Sequence, residues 1–166
     1  MPGVSDTSPV LNLAIINRLD LLREQFGEIW LPPTVIEELR LEEELPGSRA
    51  VRGAREAGWL RVGEVKDQPL LQVLQRDLDR GEAEAIALAL QMKAEWILLD
   101  ERDARKVAKS LGLRVTGLLG ILLRARRQGK LLSLQKVMEE LRENAGFRIG
   151  AELVADLLKE SGETTG

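Results

Sequence analysis

The chain of 166 residues contains no cysteine, no histidine and no tyrosine. Without cysteine it can form no disulfide, thiolate nucleophile or zinc–thiolate site. Without histidine it lacks the commonest general base and the commonest transition-metal ligand. Any catalysis must therefore rest on Asp, Glu, Lys, Arg, Ser or Thr together with a bound metal, and that metal would be an ion that prefers oxygen ligands.

Aromatic residues and long apolar runs are also scarce. Three Trp and two Phe are too few for a base-stacking surface such as an RNA-recognition sheet. The net charge of −3 does not by itself indicate nucleic-acid binding, although an acidic pocket could offset basic residues elsewhere. No apolar run reaches the length of a membrane span, and no secretion signal follows Met1. We therefore expect a cytoplasmic protein with no membrane partner.

Short apolar runs alternate with longer helical patterns, which is typical of βα units and a parallel sheet. The predicted strands are 4–6, 28–31, 59–62, 96–99 and 113–115. The predicted helices are 8–26 with a break near Asn17, 33–45, 49–57, 69–77, 82–93, 101–111, 117–128, 133–144 and 150–160. Residues 1–166 are expected to form a single α/β domain, with about 133–160 as an appended helical extension.

Four carboxylates lie where a predicted strand ends or a predicted helix begins: Asp6, Glu38, Glu82 and Asp100. Asp6 and Asp100 each follow a strand, so both project from one edge of a parallel sheet, where ligands bind in such folds. Four crowded carboxylates repel one another unless a cation bridges them. The arrangement predicts a Mg²⁺ or Mn²⁺ site, and such a site can cut phosphodiesters.

Each acid also has an ordinary explanation. Acids are favoured at helix starts by the helix dipole, and Asp100 could simply cap the next helix. The stretch from Asp79 to Glu82 resembles a capping box, and so does the stretch from Thr34 to Glu37. The joint arrangement of four acids favours the metal site over these separate explanations.

Several segments, in this order and spacing, resemble a known family. They are Ser5-Asp6-Thr7-Ser8-Pro9, Gly81-Glu82-Ala83-Glu84-Ala85-Ile86, Leu98-Leu99-Asp100-Glu101-Arg102-Asp103-Ala104-Arg105 and Val115-Thr116-Gly117-Leu118. Over nearly the whole chain the sequence is similar to the PIN-domain family of metal-dependent ribonucleases, in a prokaryotic branch close to the VapC-type toxins.

The resemblance implies a three-layer α/β/α sandwich with a central parallel sheet. It implies that the catalytic residues and metal ligands are Asp6, Glu38, Glu82 and Asp100, around one or two Mg²⁺ or Mn²⁺ ions. The metal would activate water and stabilise charge on the scissile phosphate. Neighbouring residues form a second tier of candidates: Thr7, Ser8, Glu84, Glu101 and Asp103.

Basic residues recur at helical spacing just after Asp100: Arg102, Arg105, Lys106 and Lys109. A solvated helix face is the ordinary explanation for such a cluster, but this one adjoins the proposed site and would form a stripe suited to phosphate contacts. The resemblance also implies an endoribonuclease acting on RNA phosphodiesters, as the toxin of a toxin–antitoxin pair if the toxin analogy holds. In that case a small antitoxin-like protein would block the pocket, and the apolar helix 11–26 would suit a homodimer. The alternative is a non-catalytic PIN-like module that binds RNA or a protein.

Two other folds with similar sheets fit less well. A receiver domain would need a lysine near the last strand, and residues 115–117 supply none. A nucleotide-binding fold would need a glycine-rich phosphate loop, and neither a Walker pattern nor GxGxxG occurs.

Overall fold

The computed structural model describes residues 2–163, so the ends of the predicted domain, residue 1 and residues 164–166, lie outside the described residues. Five parallel strands form one sheet in the order β3-β2-β1-β4-β5. Their bounds are β1 Gly3–Ser5, β2 Ile29–Leu31, β3 Leu60–Val62, β4 Trp96–Leu98 and β5 Val115–Thr116. Each lies within or one residue from a predicted strand.

The helices that connect and follow the strands also match the predicted pattern in number and order. Their bounds are α1 Thr7–Ile15, α2 Asp20–Phe26, α3 Pro33–Leu39, α4 Ser48–Glu56, α5 Gln68–Leu74, α6 Arg80–Met92, α7 Arg102–Ser110, α8 Leu118–Arg127, α9 Leu134–Asn144 and α10 Ala151–Glu160. The predicted break near Asn17 is confirmed, because Asn17 adopts a positive φ of 59° between α1 and α2. None of the described helices is long and apolar enough to cross a membrane.

Helices cover both faces of the sheet, which confirms the three-layer α/β/α sandwich. One apolar cluster joins Ile29, Leu31 and Leu98 to helices α1–α4 and α8–α10. The other joins Val4, Ile97 and Leu99 to α5, α6 and α7. Alternate strand residues thus enter opposite layers, as the pleat of a strand requires. Helices α9 and α10 contribute buried leucines to the first cluster.

Helix α6 is buried without interruption from Gly81 to Ala89. It lies against β1 and β4 on one side and is covered by α3, α5 and α7 on others. This confirms the prediction that the nearly apolar helix is packed on the sheet and covered by other elements. The burial matters for function because the first turn of α6 carries acidic residues into a water-poor environment.

Several details at the ends of the predicted helices were wrong. The first helix was predicted to begin at residue 8, but Thr7 is already helical and Asp6 is the N-cap. Thr34 was expected to pair with Glu37 in a capping box, but α3 begins at Pro33 and its N-cap is Pro32. The same helix ends at Leu39 and not near residue 45, because Arg40 turns into the left-handed region with φ 50°.

Candidate active site

The site lies where the strand order reverses. β1 and β4 are neighbours in the sheet, but the strand that follows each of them in the chain lies on the opposite side: β2 lies beside β1, and β5 lies beside β4. In open parallel sheets such a switch point opens a crevice outside the carboxyl ends of the strands. Asp6 follows β1 directly, and its amide continues the ladder by donating to the Leu98 carbonyl at 3.1 Å. Asp100 follows β4 by two residues. The sheet therefore delivers both predicted aspartates to one crevice.

Asp6 is 9% exposed, and its pKa is raised from 3.8 to about 7. Burial is the main cause, because it removes water from the charged form. The negative charges of Asp79, Glu82 and Glu38 raise the pKa further, while the backbone amide of Thr7 works in the opposite direction. We call these four carboxylates, Asp6, Glu38, Asp79 and Glu82, the acidic pocket.

Because Gly81 has no side chain, it leaves an opening in the acidic pocket. A β-carbon added to Gly81 would lie 2.9 Å from Glu38 Oε1 and 3.2 Å from Asp6 Oδ1. Two carboxylate oxygens from distant parts of the chain therefore face the space that a side chain at this position would fill. The Glu38 carboxylate also accepts a hydrogen bond from the Thr7 hydroxyl, so α1 holds it in place.

The start of α6 supplies the other half of the pocket. Asp79 and Glu82 form the predicted capping box: Asp79 Oδ1 accepts from the Glu82 amide at 2.8 Å, and Glu82 Oε1 accepts from the Asp79 amide at 3.1 Å. Glu82 is 7% exposed, and burial raises its pKa, with the charges of Asp79 and Glu101 adding to the effect. The two explanations weighed for Glu82, cap and site residue, therefore apply together.

Asp100 lies beside this cluster and is fixed on both oxygens. Its Oδ2 accepts from the Ser8 hydroxyl at 2.7 Å, and its Oδ1 accepts from the Leu118 amide at 2.8 Å. Asn12 in turn donates to the Ser8 hydroxyl oxygen at 3.0 Å. Asp100 thus satisfies the start of α8 rather than that of α7, and Ser8 acts on Asp100 through its hydroxyl.

Arg105, a member of the predicted basic stripe, reaches the same edge of the sheet. Its Nη1 donates to the Leu99 carbonyl at 2.9 Å. A β-carbon at Gly117 would lie 2.7 Å from Asp100 Oδ1, 2.8 Å from that carbonyl and 2.9 Å from Arg105 Nη1. Glycine at position 117 therefore permits the close approach of Asp100 and Arg105.

The remaining predicted residues divide into three groups. Glu84 points away from the acidic pocket and bonds Thr34 of α3. Glu101 is the exposed N-cap of α7, close enough to Glu82 to affect its pKa, whereas Asp103 is exposed in the next turn. The other members of the basic stripe lie exposed on α7: Arg102, Lys106 and Lys109.

Two members of the site were not singled out from the sequence. Asp79 was read only as a cap, and Gly81 was read only as part of the motif Gly-Glu-Ala-Glu. The signal that could have found them is the glycine itself, because a glycine in the first turn of a buried helix permits close approach of other groups. Its neighbours from α1 and α3 come from distant parts of the chain.

The donor chemistry of the acidic pocket fits a hard divalent cation, because every available ligand is an oxygen. Asp6 and Glu38 face the opening at Gly81, where they could hold such an ion. Within residues 2–163, no ion pair with Lys or Arg neutralises any of the four carboxylates. No three acidic groups in this part of the chain are placed as a complete ligand set. Glu38, Glu82 and Asp100 each accept a hydrogen bond within the protein.

The fold and the site together define a parallel α/β/α protein with an acidic pocket at the switch point of its sheet. The chain belongs to the PIN-domain family: the model of the DUF3368 family, described as a PIN domain, matches residues 2–163. PIN domains are generally nuclease domains and usually use divalent metal ions. The predicted family is therefore confirmed, while the closer placement beside VapC-type toxins stays a prediction.

One solved structure with a similar fold is a PilT N-terminus domain protein from the hyperthermophilic archaeon Sulfolobus solfataricus P2. The two chains are 17% identical with a TM-score of 0.56, and the match covers 80% of this chain and 96% of the other. At that identity the likeness shows the fold alone. No curated protein matches the sequence.

Proposed function

We propose that the protein is a Mg²⁺- or Mn²⁺-dependent endoribonuclease that hydrolyses RNA phosphodiesters at the acidic pocket. The observation that carries the proposal is the pair of oxygens at Gly81, Asp6 Oδ1 and Glu38 Oε1, inside a cluster of four acids that no Lys or Arg of residues 2–163 neutralises by an ion pair. A cation held there would relieve the repulsion that raises the pKa of Asp6. When bound, it supplies a Lewis acid for the phosphate and lowers the pKa of water.

The chain's own residues would orient the site. Thr7 holds the Glu38 carboxylate, and Ser8 holds the Asp100 carboxylate. Both hydroxyls belong to the first turn of α1, directly after Asp6. One short segment therefore fixes three of the four predicted acids relative to the end of β1. Such preorganisation favours catalysis because the groups need not reorganise during the reaction.

The basic stripe of α7 would bind the RNA backbone. Helix α7 begins two residues after Asp100 and presents Arg102, Lys106 and Lys109 to solvent. Phosphate contacts of this kind set the position of a nucleic acid without reading its sequence. The toxin role, the antitoxin-like partner and the homodimer stay predictions from the sequence.

The experiment that tests the proposal is cleavage of a mixed RNA pool in Mg²⁺, in Mn²⁺ and with a chelator. We expect metal-dependent cleavage by the wild type and its loss in Asp6→Asn and Glu82→Gln. Asp156→Asn and Glu143→Gln are matched controls, because both side chains are exposed on helices remote from the pocket. Cleavage that survives in both site variants would contradict the assignment of the site.

The second candidate is the non-catalytic module that binds RNA or a protein. One observation favours it: residues 2–163 contain no three acids placed as a complete ligand set. The same assay separates the two, because a binding module would retain RNA in a filter-binding measurement without cleaving it under either metal.

A further inference from the structure

Glu84 is a buried carboxylate that the acidic pocket does not use. It is 4% exposed and lies on α6 two residues after Glu82. Its Oε1 accepts from the Thr34 amide at 3.1 Å, and its Oε2 accepts from the Thr34 hydroxyl at 2.5 Å. Arg80 Nε donates to the same Oε2 at 2.9 Å. The buried charge is therefore satisfied on both oxygens, as a buried carboxylate must be.

The hydrogen bonds between Glu84 and Thr34 matter because Thr34 lies at the start of α3. The first amides of a helix have no partner within the helix. Thr34 is the second residue of α3, and the N-cap, Pro32, offers no side-chain acceptor. Glu84 supplies the missing acceptor from a position 50 residues further along the chain. It therefore ties the start of α3 to the first turns of α6.

Glu38 lies in the last turn of the same seven-residue helix. Its Oε1 faces Gly81 of α6, together with Asp6 Oδ1. Both ends of α3 are thus fixed against one short stretch of α6, the start through Glu84 and the end at the acidic pocket. A rotation or shift of α3 at its start would move Glu38 away from Asp6.

We propose that Glu84 is a positioning residue that anchors α3 through Thr34 and thereby holds Glu38 beside Asp6 in the acidic pocket. The inference deepens the proposed function and rests on it where metal binding is concerned. Groups that orient metal ligands from behind typically change metal affinity or activity about 10–100-fold when removed. Glu84 belongs to this class although it contacts α3 four residues from the ligand it places.

The test uses Glu84→Gln, which puts an amide group against three donors from Thr34 and Arg80, and Thr34→Val, which replaces the hydroxyl by a methyl group. Thr34→Ser keeps the hydroxyl and serves as the conservative rescue, while Glu143→Gln is the matched control on an exposed face of α9. Mn²⁺ affinity is measured from the shift of the unfolding midpoint with Mn²⁺ concentration. Amide hydrogen exchange is measured over residues 34–39 and over residues 83–90.

We expect Glu84→Gln and Thr34→Val to weaken Mn²⁺ affinity by about tenfold or more and to speed exchange in α3 but not in α6. Saturating Mn²⁺ should restore kcat for RNA cleavage, because the catalytic groups are intact. Thr34→Ser and the control should behave as the wild type. A merely structural role would lower stability without changing the Mn²⁺ affinity of the folded protein.

An unchanged Mn²⁺ affinity in a folded Glu84→Gln or Thr34→Val protein would overturn the inference. If the wild type itself binds no Mn²⁺, the proposed function fails and hydrogen exchange decides the positioning role by itself. Unchanged protection over 34–39 then overturns it, and loss of protection confined to α3 supports it. If Glu84→Gln does not fold, Thr34→Val carries the same comparison.

Discussion

Replacing Asp6 by Asn should stabilise the metal-free protein at neutral pH, although it removes a residue of the proposed site. The wild-type side chain is 9% exposed and is surrounded by three other carboxylates. Its ionised form is therefore disfavoured in the folded state relative to the unfolded chain. Asparagine has nearly the same shape and carries no charge, so it removes this penalty.

The magnitude follows from the pKa of Asp6, which is 3.8 ordinarily and about 7 in the folded protein. The folded state holds the proton more tightly, so the unfolded chain ionises first as the pH rises. The free energy of unfolding of the wild type therefore decreases as the pH rises from the lower pKa to the higher one. The full penalty, reached above pH 7, is roughly 4 kcal/mol at 1.36 kcal/mol per pH unit. At pH 5 only about 2 kcal/mol of it is present.

The assay is urea unfolding of wild type and Asp6→Asn at pH 5 and pH 8 in the presence of a chelator. The stability difference should widen by roughly 2–3 kcal/mol between the two pH values. This widening is the diagnostic quantity, because any constant effect of the substitution on packing cancels. Asp156→Asn, on an exposed position of α10, should show no such widening.

Adding Mg²⁺ or Mn²⁺ at pH 8 should narrow the stability difference between the two proteins. A ligand at a hundred times its Kd stabilises the folded state by about 2.7 kcal/mol, and the gain should be confined to the wild type. If the free energies of unfolding of wild type and Asp6→Asn differ by the same amount at pH 5 and pH 8, the Asp6 carboxylate does not carry a buried charge and the reasoning is refuted. Equal stabilisation of both proteins by metal would refute the role of Asp6 as a ligand.

Three further predictions test other parts of the structure. Gly81→Ala should abolish metal-dependent stabilisation, since its β-carbon occupies the opening between the carboxylates of Asp6 and Glu38. The control Gly53→Ala has open space around it and should raise stability by about 0.5–1 kcal/mol. Equal metal responses in the two variants would contradict this prediction. Arg102→Gln with Lys106→Gln should weaken RNA binding and reduce its salt dependence, with Mn²⁺ affinity unchanged; an unaltered salt slope would exclude these residues from the interface. Glu163→Gln should lower the free energy of unfolding by about 1 kcal/mol in urea, because the Glu163 carboxylate accepts hydrogen bonds from the first amides of α9. A loss below about 0.3 kcal/mol, on the order of a single exposed ion pair, would show that Glu163 does not cap the helix.

Much of the fold could be predicted because it depends on local signals. The alternation of apolar runs and helical patterns located each strand and helix that the structure describes. The Asp79–Glu82 capping box was predictable from its spacing alone. Asp6 and Asp100 could be assigned to one edge of the sheet because parallel strands end on the same side. These inferences need only the periodicity of the chain and its turn residues.

Side-chain direction in the first turns of the helices could not be predicted in this way. Glu82 and Glu84 are two residues apart, so their side chains leave a helix in nearly opposite directions. Either could have been the site residue from sequence alone. The structure turns Glu82 to the acidic pocket and Glu84 to Thr34, because the partners that decide the matter lie on α1 and α3.

The sequence by itself determined the elements, the layers and the chemistry, since it excluded histidine and cysteine and left only oxygen ligands. The tertiary structure decided which acids meet. It places Asp79 in the acidic pocket and Gly81 next to the carboxylates of Asp6 and Glu38. It also brings the Ser8 hydroxyl to Asp100, to which it donates a hydrogen bond. These contacts join residues that are far apart in the chain, and only the packing of α1, α3 and α6 against the sheet sets their distances.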